Sequence, residues 1–387
     1  MSWRDLFLEY LGPAGFTGMT FGDWLRALAE NRFCVNPRYW PGAANITANC
    51  LANSALKCWE NFRHGRAIRA TVVPPPLFVL GVWRSGTTHL HNLLARDERF
   101  AFPTTFEVFY PHTFLSTERT IKPFMAFMMP ERRPQDNVRM GIDEPQEDEF
   151  ALCGLTRLSF TLAWAFPRNA SYYRFLTLRD ATPEERRRWQ HALYAFVQKL
   201  TYKHRKPLIL KSPAHMGRIR LLLEIFPNAK FVHIHRDPFA VFKSSLYTSR
   251  AVTHVWSLQR YEPPDLESVI LRQHREVWGA FFEERRLIPP ERFCELSYDD
   301  LTRDPIAALR QIYARLDLPP FDVAEPKFRE YIASLADYRR NQFADLPPEQ
   351  RERVVRQWRR CFDEWGYATQ GEPRESPREE LESRPLP

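Results

Sequence analysis

The chain has 387 residues, 44% hydrophobic and 26% charged, which excludes a disordered or fibrous protein and leaves room for a large core. Its formal charge of +8 and pI near 9.2 suit either plain solubility or an anionic ligand. The basic residues are scattered and mixed with acids, which argues against nucleic acid as a partner.

The first residues, "MSWRDLFLEYLGPAGF", contain early acids and no clean apolar run, so they make a poor signal peptide. Residues 1–70 carry helix-like apolar spacing in "FGDWLRALAEN" and "ITANCLANSALKCWENFRHGRAIRA". They read as an N-terminal helical extension, bounded by "TVVPPP" at 71–76. An α/β domain is expected over 71–368. In it "LFVLGV" (77–82), "PLILKS" (207–212), "KFVHIH" (230–235) and "RFCELS" (292–297) are short apolar runs suited to buried strands. Helical stretches follow each, and "PEERRRWQHALYAFVQKLTYKHR" (183–205) predicts a long amphipathic helix. This alternation predicts a P-loop-like open parallel sheet flanked by helices, with ligands outside the carboxyl ends of the strands. Region 104–180 is rich in Phe, Met and Pro and suits either a lid or simple helical packing. "FALCGLTRLSFTLAWAF" (150–166) is too short and too broken by Arg157 to span a membrane, and predicts a buried helix. The tail at 369–387 is polar and proline-containing, so disorder is expected there.

Six widely spaced cysteines, with no zinc-type spacing, indicate free thiols and a cytoplasmic setting. The Asn-x-Ser/Thr matches at Asn45 and Asn169 are then chance.

"GVWRSGTT" (81–88) has the G-x-x-x-x-G frame of a phosphate-binding loop. Gly81 and Gly86 allow backbone N–H groups to converge on an anion at the following helix, and Thr87 and Thr88 add hydroxyls. The lysine of nucleoside-triphosphate loops would stand at Thr87. A cation, Arg84, comes earlier instead. ATP hydrolysis with magnesium is therefore disfavoured, and no metal is expected. A strand–turn–helix without a ligand is the plain alternative.

"RSGTTHLHNLL" resembles the 5′-phosphosulfate loop of sulfotransferases that use 3′-phosphoadenosine 5′-phosphosulfate (PAPS), in particular the bacterial-type branch with Arg-Ser-Gly-Thr-Thr. "FVHIHRDPFAVFKSSLYTSR" (231–250) resembles that family's 3′-phosphate motif, with Arg236 at a strand end and Ser244 eight residues on. "LILKSPAHM" and "ELSYDDLTRDP" resemble two further family segments, so the likeness spans roughly residues 76–345. It implies that Arg84, Ser85, Gly86, Thr87 and Thr88 hold the 5′ end of the donor. It also implies that Arg236 and Ser244 hold the 3′-phosphate and that Tyr298 lies near the adenine. Arg84 and Lys211 would stabilise the departing phosphate of 3′,5′-adenosine bisphosphate. Glu107 is the expected base, its pKa raised by burial beside Phe106 and Phe109. His215 is the rival, displaced from the position that the cytosolic branch would use. His89 and His91 suit packing or the edge of the cofactor rather than a base. The acids of "EPQEDEFAL" (144–152) would bind acceptor hydroxyls or cap a helix. The glycine-rich C-terminal loop of the cytosolic branch is missing, and Arg339 or Arg340 would supply its contacts. The implied reaction moves a sulfuryl group to a hydroxyl or amine of a small-molecule, carbohydrate or lipid acceptor. The alternatives are a P-loop phosphotransferase or kinase, and a non-catalytic adenine-nucleotide-binding protein.

Overall fold

The computed structural model describes residues 14–129, 141–261, 265–336, 341 and 343–369. Arg339, Arg340 and residues 370–387 of the tail lie outside them. Four strands pair in parallel: β1 (Leu77–Leu80), β2 (Ile209–Lys211), β3 (Lys230–His235) and β4 (Phe293–Ser297). Their order is β2-β1-β3-β4, so the strand carrying the glycine loop lies at the centre, between β2 and β3. Register sets Val79 opposite Lys211 on one side and Leu80 opposite His233 on the other. All four carboxyl ends therefore reach one edge of the sheet. The expected runs overshoot β1, β2 and β4 by one or two residues.

Side-chain alternation along these strands divides the interior into two cores. Phe78, Leu80, Leu210 and Phe231 face the larger one. Leu77, Val79, Ile209, Val232 and Ile234 face the smaller one. Burial on both faces is why the strands read as continuous apolar runs. The larger core also holds Met19, Trp24, Ile46 and Cys50, so the N-terminal segment packs against the same interior. That segment contains α1 (Phe21–Glu30), capped by Thr20, and the long α2 (Trp40–Arg69). Residues 71–76 follow without a regular element.

Around the sheet run α3 (Thr87–Leu94), α4 (Thr105–Phe109), α5 (Asp148–Thr156), α6 (Pro183–His204), α7 (Ile219–Ile225) and α8 (Pro238–Trp256). Then come α9 (Leu266–Glu284), α10 (Tyr298–Arg303), α11 (Pro305–Arg315), α12 (Phe321–Ser334) and α13 (Pro348–Trp365). The single helix expected at 150–166 is instead two short ones. Arg157 takes a left-handed conformation (φ 62°) that ends α5, and its guanidinium pairs with Asp23 and Glu30. A second short helix spans Leu162–Ala165. Among the described residues no helix is long and apolar enough to cross a membrane. All six cysteines are free.

Candidate active site

The loop between β1 and α3 is held by contacts that depend on particular residues. Ser85 donates its hydroxyl to the Val82 carbonyl at 2.8 Å, closing the turn. Gly86 sits at φ 103°, and a Cβ there would lie 2.3 Å from Cδ2 of Tyr298. A ring therefore lies directly against the glycine backbone. Thr87 and Thr88 open α3, whose first-turn N–H groups have no carbonyl partner within the helix. Those donors, at the positive end of the helix, suit a phosphate.

Arg84 also has a positive φ, 69°. Such a conformation costs on the order of 1–3 kcal/mol and persists only where its surroundings fix it. Two contacts do so. Its Nε donates to Ser244 Oγ at 2.8 Å, and its carbonyl accepts from Arg236 Nη1 at 3.1 Å. The Arg236 guanidinium lies 4.4 Å from the centre of the Tyr298 ring. Residues from the ends of β1, β3 and β4 and from α8 thus meet in one cluster. Asp237 does not neutralise Arg236. Its side chain accepts from Phe239 N and caps α8. Arg84 consequently reaches toward Ser244, on the side where the 3′-phosphate was expected.

The lysine missing from the loop arrives from the neighbouring strand. Lys211, at the end of β2, donates to Thr88 Oγ1 at 3.4 Å and to Glu147 Oε1 at 2.8 Å. Its side chain is buried, and that of Glu147 is 16% exposed. Glu147 precedes α5 but makes no side-chain capping bond. Two further pairs continue the contact. His215 Nε2 lies 2.9 Å from Asp148 Oδ2, and Arg218 forks onto Glu149 at 2.6 and 3.3 Å. Three successive acids thus meet three bases that run from the end of β2 into the segment after it.

The sulfotransferase family profile matches residues 75–322. An omega-hydroxy-beta-dihydromenaquinone-9 sulfotransferase, Stf3, from Mycobacterium bovis is 38% identical over 367 residues, covering 94% of this chain and 93% of its own. The M. tuberculosis Stf3 matches to the same extent. The chain belongs to the sulfotransferase family. Two solved sulfotransferases share its fold at low identity. STF9 from Mycobacterium avium has a TM-score of 0.66 at 20% identity, over 88% of this chain and 91% of its own. STF1 from M. tuberculosis has a TM-score of 0.63 at 19% identity, over 90% and 93%.

In this sulfotransferase Glu107 does not have the raised pKa expected of it. Burial alone would raise it. The hydrogen bond and charge of His204, the Lys203 ammonium and the Thr104 N–H outweigh burial and hold the carboxyl down, at about 2. Oε1 meets His204 Nε2 at 2.7 Å and Lys203 Nζ at 2.9 Å, while Oε2 accepts from Thr104 N. With the Thr104 hydroxyl this forms a capping box on α4. Both oxygens are committed to the fold, and the residue is fully buried. His215 is buried too, with Phe78 edge-on at 5.4 Å and Nδ1 without a hydrogen-bond partner. His91 packs against Phe102, as expected. Glu147 was visible in the sequence only as one acid among several in 144–152. Its distinguishing feature is a partner 64 positions away.

Proposed function

We propose that this sulfotransferase moves the sulfuryl group of PAPS to a hydroxyl of a small, lipid-like acceptor. The observation that carries the reading is the meeting of Arg84 from one motif with Arg236 and Ser244 from another, through hydrogen bonds of 2.8 and 3.1 Å. The donor set fits a phosphorylated nucleotide. It consists of guanidinium groups, hydroxyls and helix N–H groups, and Asp237, the acid next to Arg236 in the chain, is turned to its own helix. The glycine that lets Tyr298 lie on the loop fits an adenine-side wall. PAPS, when bound, supplies an activated sulfuryl group and a good phosphate leaving group.

In this reading Gly86, Thr87 and Thr88 bind the 5′ end, with Ser85 shaping the loop. Arg236 and Ser244 bind the 3′-phosphate, and Arg84 bridges toward them. Lys211 places positive charge beside Thr88, where the leaving phosphate would gain negative charge. Glu147 takes the base role in place of Glu107 and His215. It is the carboxylate held against Lys211, and it retains some solvent access. A Lys211 ammonium drawn toward the donor would release Glu147 Oε1 to accept the acceptor's proton. The lipid-like acceptor is inferred from the omega-hydroxy-beta-dihydromenaquinone-9 named for Stf3.

The test is thermal melting with 3′,5′-adenosine bisphosphate against ATP–Mg²⁺, followed by acceptor screening with labelled PAPS. Stabilisation by the bisphosphate at micromolar concentration and none by ATP–Mg²⁺ is the expected result. The reverse preference would return the site to the phosphotransferase reading.

A further inference from the structure

The helix α2 buries two polar groups beside Ile46 and Cys50 and turns several of its largest apolar groups outward. Its buried positions include Asn53 and Glu60, and Glu60 is paired with Lys199. Its outward stripe presents Trp40 (61% exposed), Leu51 (50%), Trp59 (53%) and Phe62 (85%), with exposed alanines between them. At about 100° per residue these four project within roughly 100° of one another. Trp59 and Phe62 lie with ring centres 6.4 Å apart. A large apolar stripe of this kind marks an interaction surface.

The last turns of the helix say what kind. Arg66 and Arg69 continue the same stripe, and Arg63 borders it, all of them exposed. Among the described residues no acid pairs with these three. The only acid of α2 is Glu60, on the buried side. An outward face of Trp, Leu and Phe that runs into arginines, with no acid, complements an anionic lipid surface. Tryptophan is the residue that favours the headgroup boundary. The helix lacks the hydropathy to cross a bilayer, so it would lie in the interface. A second copy of the chain fits less well, because the arginines share the stripe that would have to be buried.

We propose that α2 is a peripheral membrane-docking helix for anionic lipid, seated through Trp59 and Phe62 and steered by Arg63, Arg66 and Arg69. This rests on α2 alone and is independent of the donor and acceptor assignments.

The experiment is co-sedimentation of the full chain with vesicles of phosphatidylcholine, with or without roughly a third phosphatidylglycerol. Wild-type protein is expected to pellet with the anionic vesicles and to be released by salt. W59S/F62S should lower the apparent affinity by about tenfold or more, and R66E/R69E should weaken it several-fold and blunt the salt dependence. Both variants should melt cooperatively within a few degrees of wild type, showing that they are folded. Wild-type protein that stays in the supernatant with anionic vesicles overturns the proposal. So does equal binding by the variants. Light scattering that shows a dimer which W59S/F62S converts to monomer would assign the stripe to a second copy instead.

Discussion

Glu107→Gln separates a structural carboxylate from a base. The native carboxyl is held at about 2, against an ordinary value of 4.5. A depression of that size corresponds to about 3 kcal/mol of folding stability near neutral pH. The amide keeps the shape but loses the charge facing Lys203 and His204, so most of that contribution should vanish. For a chain of this length the unfolding entropy is roughly 0.8 kcal/mol per kelvin, so melting should fall by about 4 °C. The sign of the pH dependence follows from the depressed pKa. The stabilisation is complete above about 4.5 and is lost as pH falls toward the folded value near 2. The gap between wild type and variant should therefore be widest at pH 7 and shrink to about 1 kcal/mol by pH 3. The assay is differential scanning calorimetry of both proteins at those two pH values, alongside turnover with labelled PAPS. Turnover below the melting range should change by less than about threefold, since a positioned base is worth about 10²–10⁴ and this carboxylate is not aimed at an acceptor. A variant that melts within a degree of wild type and loses activity by that larger factor would refute the reasoning and restore Glu107 as the base.

Glu147→Gln should instead lower kcat by about 10²–10⁴, with little effect on the melting shift given by 3′,5′-adenosine bisphosphate, and should lower melting by several degrees because the buried Lys211 ammonium loses that partner. Arg84→Lys and Ser244→Ala, alone and together, should give a coupling energy of about 1 kcal/mol or more in bisphosphate affinity measured by calorimetry, because one 2.8 Å hydrogen bond joins them. Strict additivity would show that the contact is irrelevant to the donor. Gly86→Ala should abolish the bisphosphate melting shift, since its methyl would fall 2.3 Å from the Tyr298 ring.

The parts of this site written in short stretches of chain were legible beforehand. A strand, a glycine loop and a helix are local events, so "GVWRSGTT" announced the loop at β1. The spacing of Arg236 and Ser244 is local too, because Asp237 starts α8 at once and fixes the phase of Ser244. What failed depended on partners far along the chain. The acidity of Glu107 is decided by His204 and Lys203 at the end of α6, 97 positions from Glu107 in the case of His204. Neighbouring phenylalanines suggested burial correctly, but burial, the largest single effect, is outweighed by the His204, Lys203 and Thr104 contacts together. The break in 150–166 turned on the left-handed conformation of Arg157, to which its pairs with Asp23 and Glu30 contribute. Glu147 could not be told from its neighbours until β2 brought Lys211 to it.

Those neighbours explain why Glu147 is placed as it is. Asp148–His215 and Glu149–Arg218 are buried pairs, and such pairs add little net stability because both partners lose water. Their value lies in what happens when they are misaligned. Sliding α5 by one residue would leave buried charges facing the wrong partners, at a cost of several kcal/mol. Arg218 tightens the constraint by also donating to the carbonyls of Phe175 and Leu176. Asp148 and Glu149 sit in the first turn of α5, where acids are favourable, so the helix start and the pairing agree. With both inner pairs fixed, Glu147 has one position, 2.8 Å from Lys211 at the mouth of the loop. On this argument Arg218→Ala, far from any donor contact, should raise the KM of the acceptor and lower kcat while leaving bisphosphate binding intact. A loss of bisphosphate binding in that variant, with the chain still folded, would show that the pairs hold the donor loop rather than Glu147.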